Sequence, residues 1–256
     1  MKKINFLFAV AIVSVSLLSA CNQEAKKEEA ATNTTQEQAT AAVADTNIIR
    51  DKSLSADEQK ALTPDVVIQS LLDGNKRFMN NDLTERDHSS MVRSAAYGQY
   101  PKAVVISCLD SRVPVEDVFN KGLGDLFVAR VAGNFVNTDI IGSAEYGCKV
   151  AGSKVIMVLG HGSCGAVTAA IKDVKLGNIT AMLTNIKPAV TASQSFEGVK
   201  TYENPAFVEA VEKKNVLLAI DKIRANSPIL KEMEDKGEIK IVGAFYNINT
   251  GEVTLL

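Results

Sequence analysis

The sequence has no tryptophan, two histidines, four cysteines and six prolines in 256 residues. Four cysteines are too few for a disulfide-stapled scaffold, and any soft-metal centre must draw on nearly the whole Cys and His supply. Neither sign of charge dominates. The 28 Lys and Arg against 30 Asp and Glu leave a net charge of −2, so the chain lacks the basic footprint that nucleic-acid phosphates require, and no nucleic-acid partner is expected. What is present is ordinary globular usage, 46% hydrophobic and 23% charged, which excludes disorder throughout.

The amino terminus differs from the rest. Met1, Lys2 and Lys3 precede a largely apolar run from Ile4 to Leu18, then Ser19, Ala20 and Cys21. This is the basic, apolar and small-residue order of an export signal, with no stop-transfer segment after it. Leu18-Ser19-Ala20-Cys21 resembles the lipobox of bacterial lipoproteins, which implies cleavage after residue 20 and lipidation of Cys21. From 21 to 50 the chain is rich in Ala, Thr, Gln, Glu and Lys, a composition that buries too little apolar surface to order itself and is expected to act as a tether. Residues 51–256 are expected to form one domain, with no second linker-like segment inside them. Asn22 follows the lipidated position, where lipoproteins retained in an inner membrane carry Asp. An exported, membrane-anchored lipoprotein is therefore expected, sorted to an outer membrane and facing periplasm or cell surface.

Within the domain, apolar, β-branched runs at Ala103 to Ser107, Leu126 to Val131, Lys154 to Leu159 and Ile239 to Tyr246 do not alternate with polar residues. That is the pattern of strands buried on both faces of a parallel sheet. Helical patterns lie around and between them: Pro64 to Asn80 behind a Thr63 cap, Asp139 to Ala151, Gly165 to Leu176, and Asn204 to Asn226 with Pro205 beside the cap. The expectation is an α/β fold with a mostly parallel central sheet flanked by helices, and ligands beyond the carboxyl ends of the strands.

The scarce residues sit at two of those ends. Cys108-Leu109-Asp110-Ser111-Arg112 follows the first strand, and His161-Gly162-Ser163-Cys164-Gly165 follows the third. Cys108, His161 and Cys164 can converge on one ion. Two thiolates and an imidazole suit zinc, and three protein ligands leave the fourth tetrahedral position open, the mark of a catalytic site. Arg112 can fork onto Asp110 and keep it ionised. Asp110 then either orients a water beside the open position or occupies that position as a fourth ligand in an inactive form.

Cys-x-Asp-Ser-Arg, then Arg130-Val131-Ala132-Gly133-Asn134, then His-x-x-Cys-Gly about fifty residues after the first motif, resembles the β-class carbonic anhydrases over roughly residues 60 to 256. The resemblance implies one zinc per chain on Cys108, His161 and Cys164, and reversible hydration of CO2 to bicarbonate by zinc-bound hydroxide. It also implies homodimers or homotetramers whose N-terminal helices pack on a partner subunit. Further pocket positions carry over singly: Gln99, a glutamine reaching across the subunit interface; Phe127, Ala132 and Tyr146 around the substrate; and Gly165 beside the second zinc cysteine. Ala132 stands where many members carry Val, and Val131 replaces the commoner Asn. The bicarbonate-inhibited subclass uses a tryptophan this chain lacks, which favours the open form of the site.

Hydrolysis of carbonyl sulfide or carbon disulfide by the same ligands is an alternative within the family. A non-catalytic zinc-binding surface lipoprotein is another, in which Asp110 and Arg112 would be dispensable. A phosphate cradle at Gly160 to Gly165 lacks the Lys of a P-loop. His88 is tied to nothing by its spacing and is expected at the surface, while Cys148 is expected in the core.

Overall fold

Residues 52–256 are described here from a computed structural model. The expected signal peptide 1–20, the expected lipidation site Cys21 and the expected tether 21–50 lie outside the described residues. The amino-terminal helices begin where short polar side chains satisfy their first N–H groups. Ser55 and Glu58 form a capping box on α1 (Ala56–Lys60). Thr63 caps α2 (Pro64–Met79), with Pro64 in the first turn, and Asp87 caps α3 (His88–Ala95). There follow β1 (Ala103–Ser107), α4 (Val115–Val118), β2 (Leu126–Arg130), α5 (Thr138–Glu145) and β3 (Val155–His161). The chain continues through α6 (Gly165–Ile171), α7 (Gly177–Leu183), α8 (Lys187–Ala192), α9 (Pro205–Asn226), α10 (Pro228–Asp235), β4 (Lys240–Tyr246) and β5 (Val253–Leu255).

The sheet order is β2-β1-β3-β4-β5, with the first four strands parallel and β5 antiparallel to β4. All residues of β1 and β3 are buried, as non-alternating strands at the centre of a parallel sheet must be. One face packs Val104, Ile106, Ile156 and Val158 against Ile141 of α5, Val216, Ile220 and Ile223 of α9 and Leu230 of α10. The other packs Val105, Met157 and Leu159 against Val67 and Leu71 of α2 and Val115 and Val118 of α4. A third cluster, with Val167, Leu183, Ile186, Phe207 and Val211, takes in Cys108 and Cys164.

Helix α2 approaches the chain's own core so closely that a Cβ on Gly74 would sit 1.8 Å from the carbonyl oxygen of Phe119. Asn75 beside it donates to the carbonyls of Val118 and Gly251 and accepts from the N–H of Val253. Gly74→Ala is therefore expected to destabilise by about 1–3 kcal/mol through overpacking, despite alanine's better helix propensity. Urea unfolding checks this, and an unchanged midpoint would mean that α2 can shift freely.

The α/β class and the strand positions agree with the sequence reading, while several boundaries move. The helix expected over Gly165 to Leu176 stops at Ile171. Asp173 takes a left-handed φ of 54° and the N–H of Val174 returns to the carbonyl of Ala169, a Schellman-type stop that lets Gly177 begin a separate helix. The helix expected over Asp139 to Ala151 starts at Thr138 behind an Asn137 cap, and Tyr146–Val150 is a π-helical turn. The third strand runs two residues further than Leu159, so His161 belongs to the sheet and pairs with Tyr246. No helix among the described residues is long and apolar enough to cross a membrane.

Candidate active site

Adjacent strands bring the two motifs together. Ser107, the last residue of β1, pairs with Leu159 of β3, so Cys108 and His161 leave neighbouring strands near the same carboxyl edge. A short turn, with Ser163 at a left-handed φ of 56°, then places Cys164 at the cap position of α6. Its side chain makes no capping bond, which leaves the thiol available as a ligand.

The donor atoms of Cys108, His161 and Cys164 all lie within 4.8 Å of one another, and all three residues are buried. The two sulfurs are 3.9 Å apart. Two tetrahedral zinc–sulfur bonds of about 2.3 Å require roughly 3.8 Å, so the pair fits the ion as it stands. His161 Nδ1 is 2.9 Å from the carbonyl oxygen of Gly162 and donates to it. That fixes the tautomer with the lone pair on Nε2, and Nε2 is buried without a hydrogen-bond partner. A buried nitrogen left bare beside two thiols is what a metal ligand looks like before the metal is counted.

The thiols titrate as a pair. The S–H of Cys164 stabilises the Cys108 thiolate, helped by the N–H of Gly133 at 3.2 Å, and this lowers Cys108 despite its burial. The proton retained on Cys164 is held up by that bond, by burial and by the thiolate beside it. A cation between them removes the repulsion that keeps the second proton on.

Asp110 lies beside this group, its Oδ2 3.9 Å from His161 Nε2. Arg112 forks onto it, Nε to Oδ1 at 2.9 Å and Nη2 to Oδ2 at 2.7 Å, and the backbone N–H of Arg112 adds a third bond at 2.9 Å. The guanidinium holds the carboxyl well below the usual carboxylate range. Arg112 Nη2 also reaches the carbonyl of Ser163 at 3.3 Å, tying the two motifs to each other.

Four contributors have no assigned role in the sequence reading. Arg130 clamps the main chain of the first motif, donating to the carbonyls of Cys108 at 2.9 Å and Asp110 at 2.5 Å. Gly133 supplies the N–H to Cys108. On α9, Glu212 accepts from the Cys164 N–H at 2.6 Å and Asn215 donates to the Gly133 carbonyl at 2.7 Å. Burial pushes the Glu212 carboxyl up to about 7. The sequence signal for the last two is a pair of polar residues three apart inside the apolar stripe of α9.

The expected pocket residues divide. Ala132 sits next to Gly133, and Gly165 opens α6 beside Cys164, where an added Cβ would meet nothing within 4 Å. Gln99, Phe127 and Tyr146 are not brought to the ligands within one chain. Phe127 pairs with Val104, four residues before Cys108 and thus about 13 Å back along the strand. Tyr146 packs edge-on against it at 6.2 Å, and Gln99 is exposed ahead of the amino end of β1. The aromatic pair lines a groove of about 700 Å³ with Val104, Ala129 and Ile140. His88 is exposed, and Cys148 is buried in the α5 and α9 face of the core with its thiol pushed up to about 12 by burial.

A sequence profile of the carbonic anhydrase family matches residues 103–253, which spans Cys108, His161, Cys164 and both motifs. The chain belongs to the carbonic anhydrase family. It is 33% identical to carbonic anhydrase 2 of Mycobacterium tuberculosis over 193 residues, 73% of this chain and 90% of that protein. Among solved structures, a Coccomyxa β-carbonic anhydrase in complex with acetazolamide superposes with a TM-score of 0.60 at 25% identity, covering 74% of this chain and 86% of that one. One of two tetrameric β-carbonic anhydrases from Sordaria macrospora gives 0.57 at 25% identity, covering 75% and 94%. The fold is thus that of the β-class enzymes.

Proposed function

We propose that this chain catalyses the reversible hydration of CO2 to bicarbonate and a proton with one zinc ion on Cys108, His161 and Cys164. The observation that carries this is the conjunction of a fitted three-donor cluster, a bare buried Nε2 and an ionised carboxylate held beside them by Arg112. Zinc in such a site acidifies water enough to supply a nucleophile near neutral pH. The protein's part is orientation. Asp110 accepts a hydrogen bond from the nucleophilic water and turns a lone pair toward the carbon of CO2. The Gly165 backbone leaves room for the substrate beside Cys164, and Ala132 supplies an apolar wall. Both Asp110 oxygens are engaged by Arg112, which supports an open fourth position over one closed by Asp110.

The chain is further proposed to work as a homodimer or homotetramer, with N-terminal helices packed on a partner subunit and Gln99, Phe127 and Tyr146 of one copy completing the pocket of another. The exposed apolar surface supports this: Tyr97 is 94% exposed, Leu109 66% and Tyr146 50%. Sedimentation of the protein as a monomer at micromolar concentration would remove that reading. Cleavage after residue 20 and lipidation of Cys21 would hold the domain, by the tether, at the outer membrane of a bacterium. The intact mass of the membrane-extracted protein tests the lipid directly.

Stopped-flow CO2 hydration at about pH 7.5 and 8.5, with zinc per chain measured on the same sample, tests the activity. Rapid turnover lost on chelation and restored by zinc is the expected result. Stoichiometric zinc without turnover at either pH overturns it, and release of sulfide from carbonyl sulfide or carbon disulfide would then redirect the assignment.

A further inference from the structure

Helix α9 passes behind both cysteine-bearing loops, and its inward stripe of Val208, Val211, Val216 and Ala219 is interrupted by two buried polar residues, Glu212 and Asn215, 2% and 3% exposed. Polar side chains are costly to bury unless each is hydrogen-bonded, so their partners indicate why they are there. Glu212 Oε1 accepts from the backbone N–H of Cys164 at 2.6 Å. Asn215 Nδ2 donates to the carbonyl of Gly133 at 2.7 Å, and the N–H of Gly133 donates to the sulfur of Cys108 at 3.2 Å.

One turn of one helix therefore holds both sulfur ligands, one through its own main chain and the other through the residue that hydrogen-bonds its thiolate. Gly133 is itself confined, with φ of 84° and room for no side chain, since a Cβ would lie 2.4 Å from Ile186 Cδ1. Its N–H direction is thus set by the loop and by Asn215 together. We infer that Glu212 and Asn215 are positioning residues for the metal centre, fixing the separation and direction of Cys108 and Cys164 before metal arrives. The inference rests on the zinc reading proposed above. Such outer contacts typically contribute 10–100-fold to metal affinity.

The test uses the full-length chain and zinc itself, with affinity read by competition against a chromophoric chelator, and the cobalt form read by its thiolate-to-metal absorption. Glu212→Ala and Asn215→Ala are expected to weaken zinc binding by about 10–100-fold and to shift the cobalt spectrum. Glu212→Gln, whose amide oxygen still accepts from Cys164, is expected to stay within a few-fold of wild type. Alanine variants that are folded and match wild type in both readouts overturn the inference. So does an equal loss in Glu212→Ala and Glu212→Gln, because the hydrogen bond would then not be the operative contact. If an alanine variant does not fold, Asn215→Asp is read instead. It is isosteric and turns an oxygen toward the Gly133 carbonyl, so unchanged affinity and spectrum there also overturn it. If wild type itself binds no zinc, the metal reading falls and this inference with it. Wild-type binding with unaffected variants removes the inference alone.

Discussion

Cys164→Ser is expected to abolish CO2 hydration and stoichiometric zinc binding while leaving the protein folded. A serine hydroxyl does not ionise near neutral pH and is a hard donor, so the site loses one of its two thiolates and with it most of its preference for zinc. The loss is local because Cys164 holds the cap position of α6 without a capping bond, and serine is a favoured residue at that position. The metal-free variant should therefore be as stable as the metal-free wild type, or more stable by about 0.5–1 kcal/mol. Zinc per chain after dialysis against chelator, stopped-flow hydration and urea unfolding of both apo-proteins check the three parts. Retention of zinc and full activity would refute the ligand set.

Asp110→Asn should lower kcat/KM by about 10²–10⁴-fold with zinc retained, the range for loss of a side chain positioned to hydrogen-bond the reacting group. The carboxamide keeps the shape but presents a donor where an acceptor is needed and cannot take the Arg112 fork. Arg112→Ala should fall comparably, since it frees Asp110 to turn toward the zinc or away from the substrate. The double variant should fall no further than the worse single one, because the two residues act as a unit. Additive losses would mean that they serve separate steps.

The dyad also has a pH signature. Arg112 depresses the folded-state pKa of Asp110. The resulting stabilisation is therefore present in full above the unfolded carboxyl value of about 3.9 and is lost as pH falls from there toward the folded value. Wild type should accordingly be the more stable of the two above about pH 5, and its advantage over Asp110→Asn should shrink as pH falls below that and Asp110 takes up its proton, while their difference in activity persists at neutral pH. An acid limb of the activity profile near neutrality that disappears in Asp110→Asn would contradict this, since it would assign to Asp110 a proton that Arg112 should already have excluded.

The parts of this enzyme written locally were legible in the sequence. Buried parallel strands announce themselves as unbroken β-branched runs, and ligands in such sheets follow strand ends, so Cys108, Asp110, Arg112, His161 and Cys164 were found where strand-end placement puts them. Helix ends were harder. The stop at Ile171 depends on Asp173 accepting a left-handed φ, which no periodicity encodes, and the extension of β3 to His161 depends on pairing with Tyr246, some 85 residues later in number and adjacent only once the sheet forms.

The sequence by itself determined the chemistry available: which few side chains can bind a soft metal, and which carboxylate and guanidinium stand beside them. Only the tertiary structure decided how those atoms are held. The register of β1 against β2 places Phe127 about 13 Å behind Cys108 rather than over it. Packing of α9 across the carboxyl edge brings Glu212 to the Cys164 N–H and Asn215 to Gly133. Those are contacts between residues 48 and 82 positions apart. Spacing along a chain carries no information about such pairs, because what joins them is the burial of an apolar helix face against a sheet, and the polar contacts are fixed as a consequence of that burial.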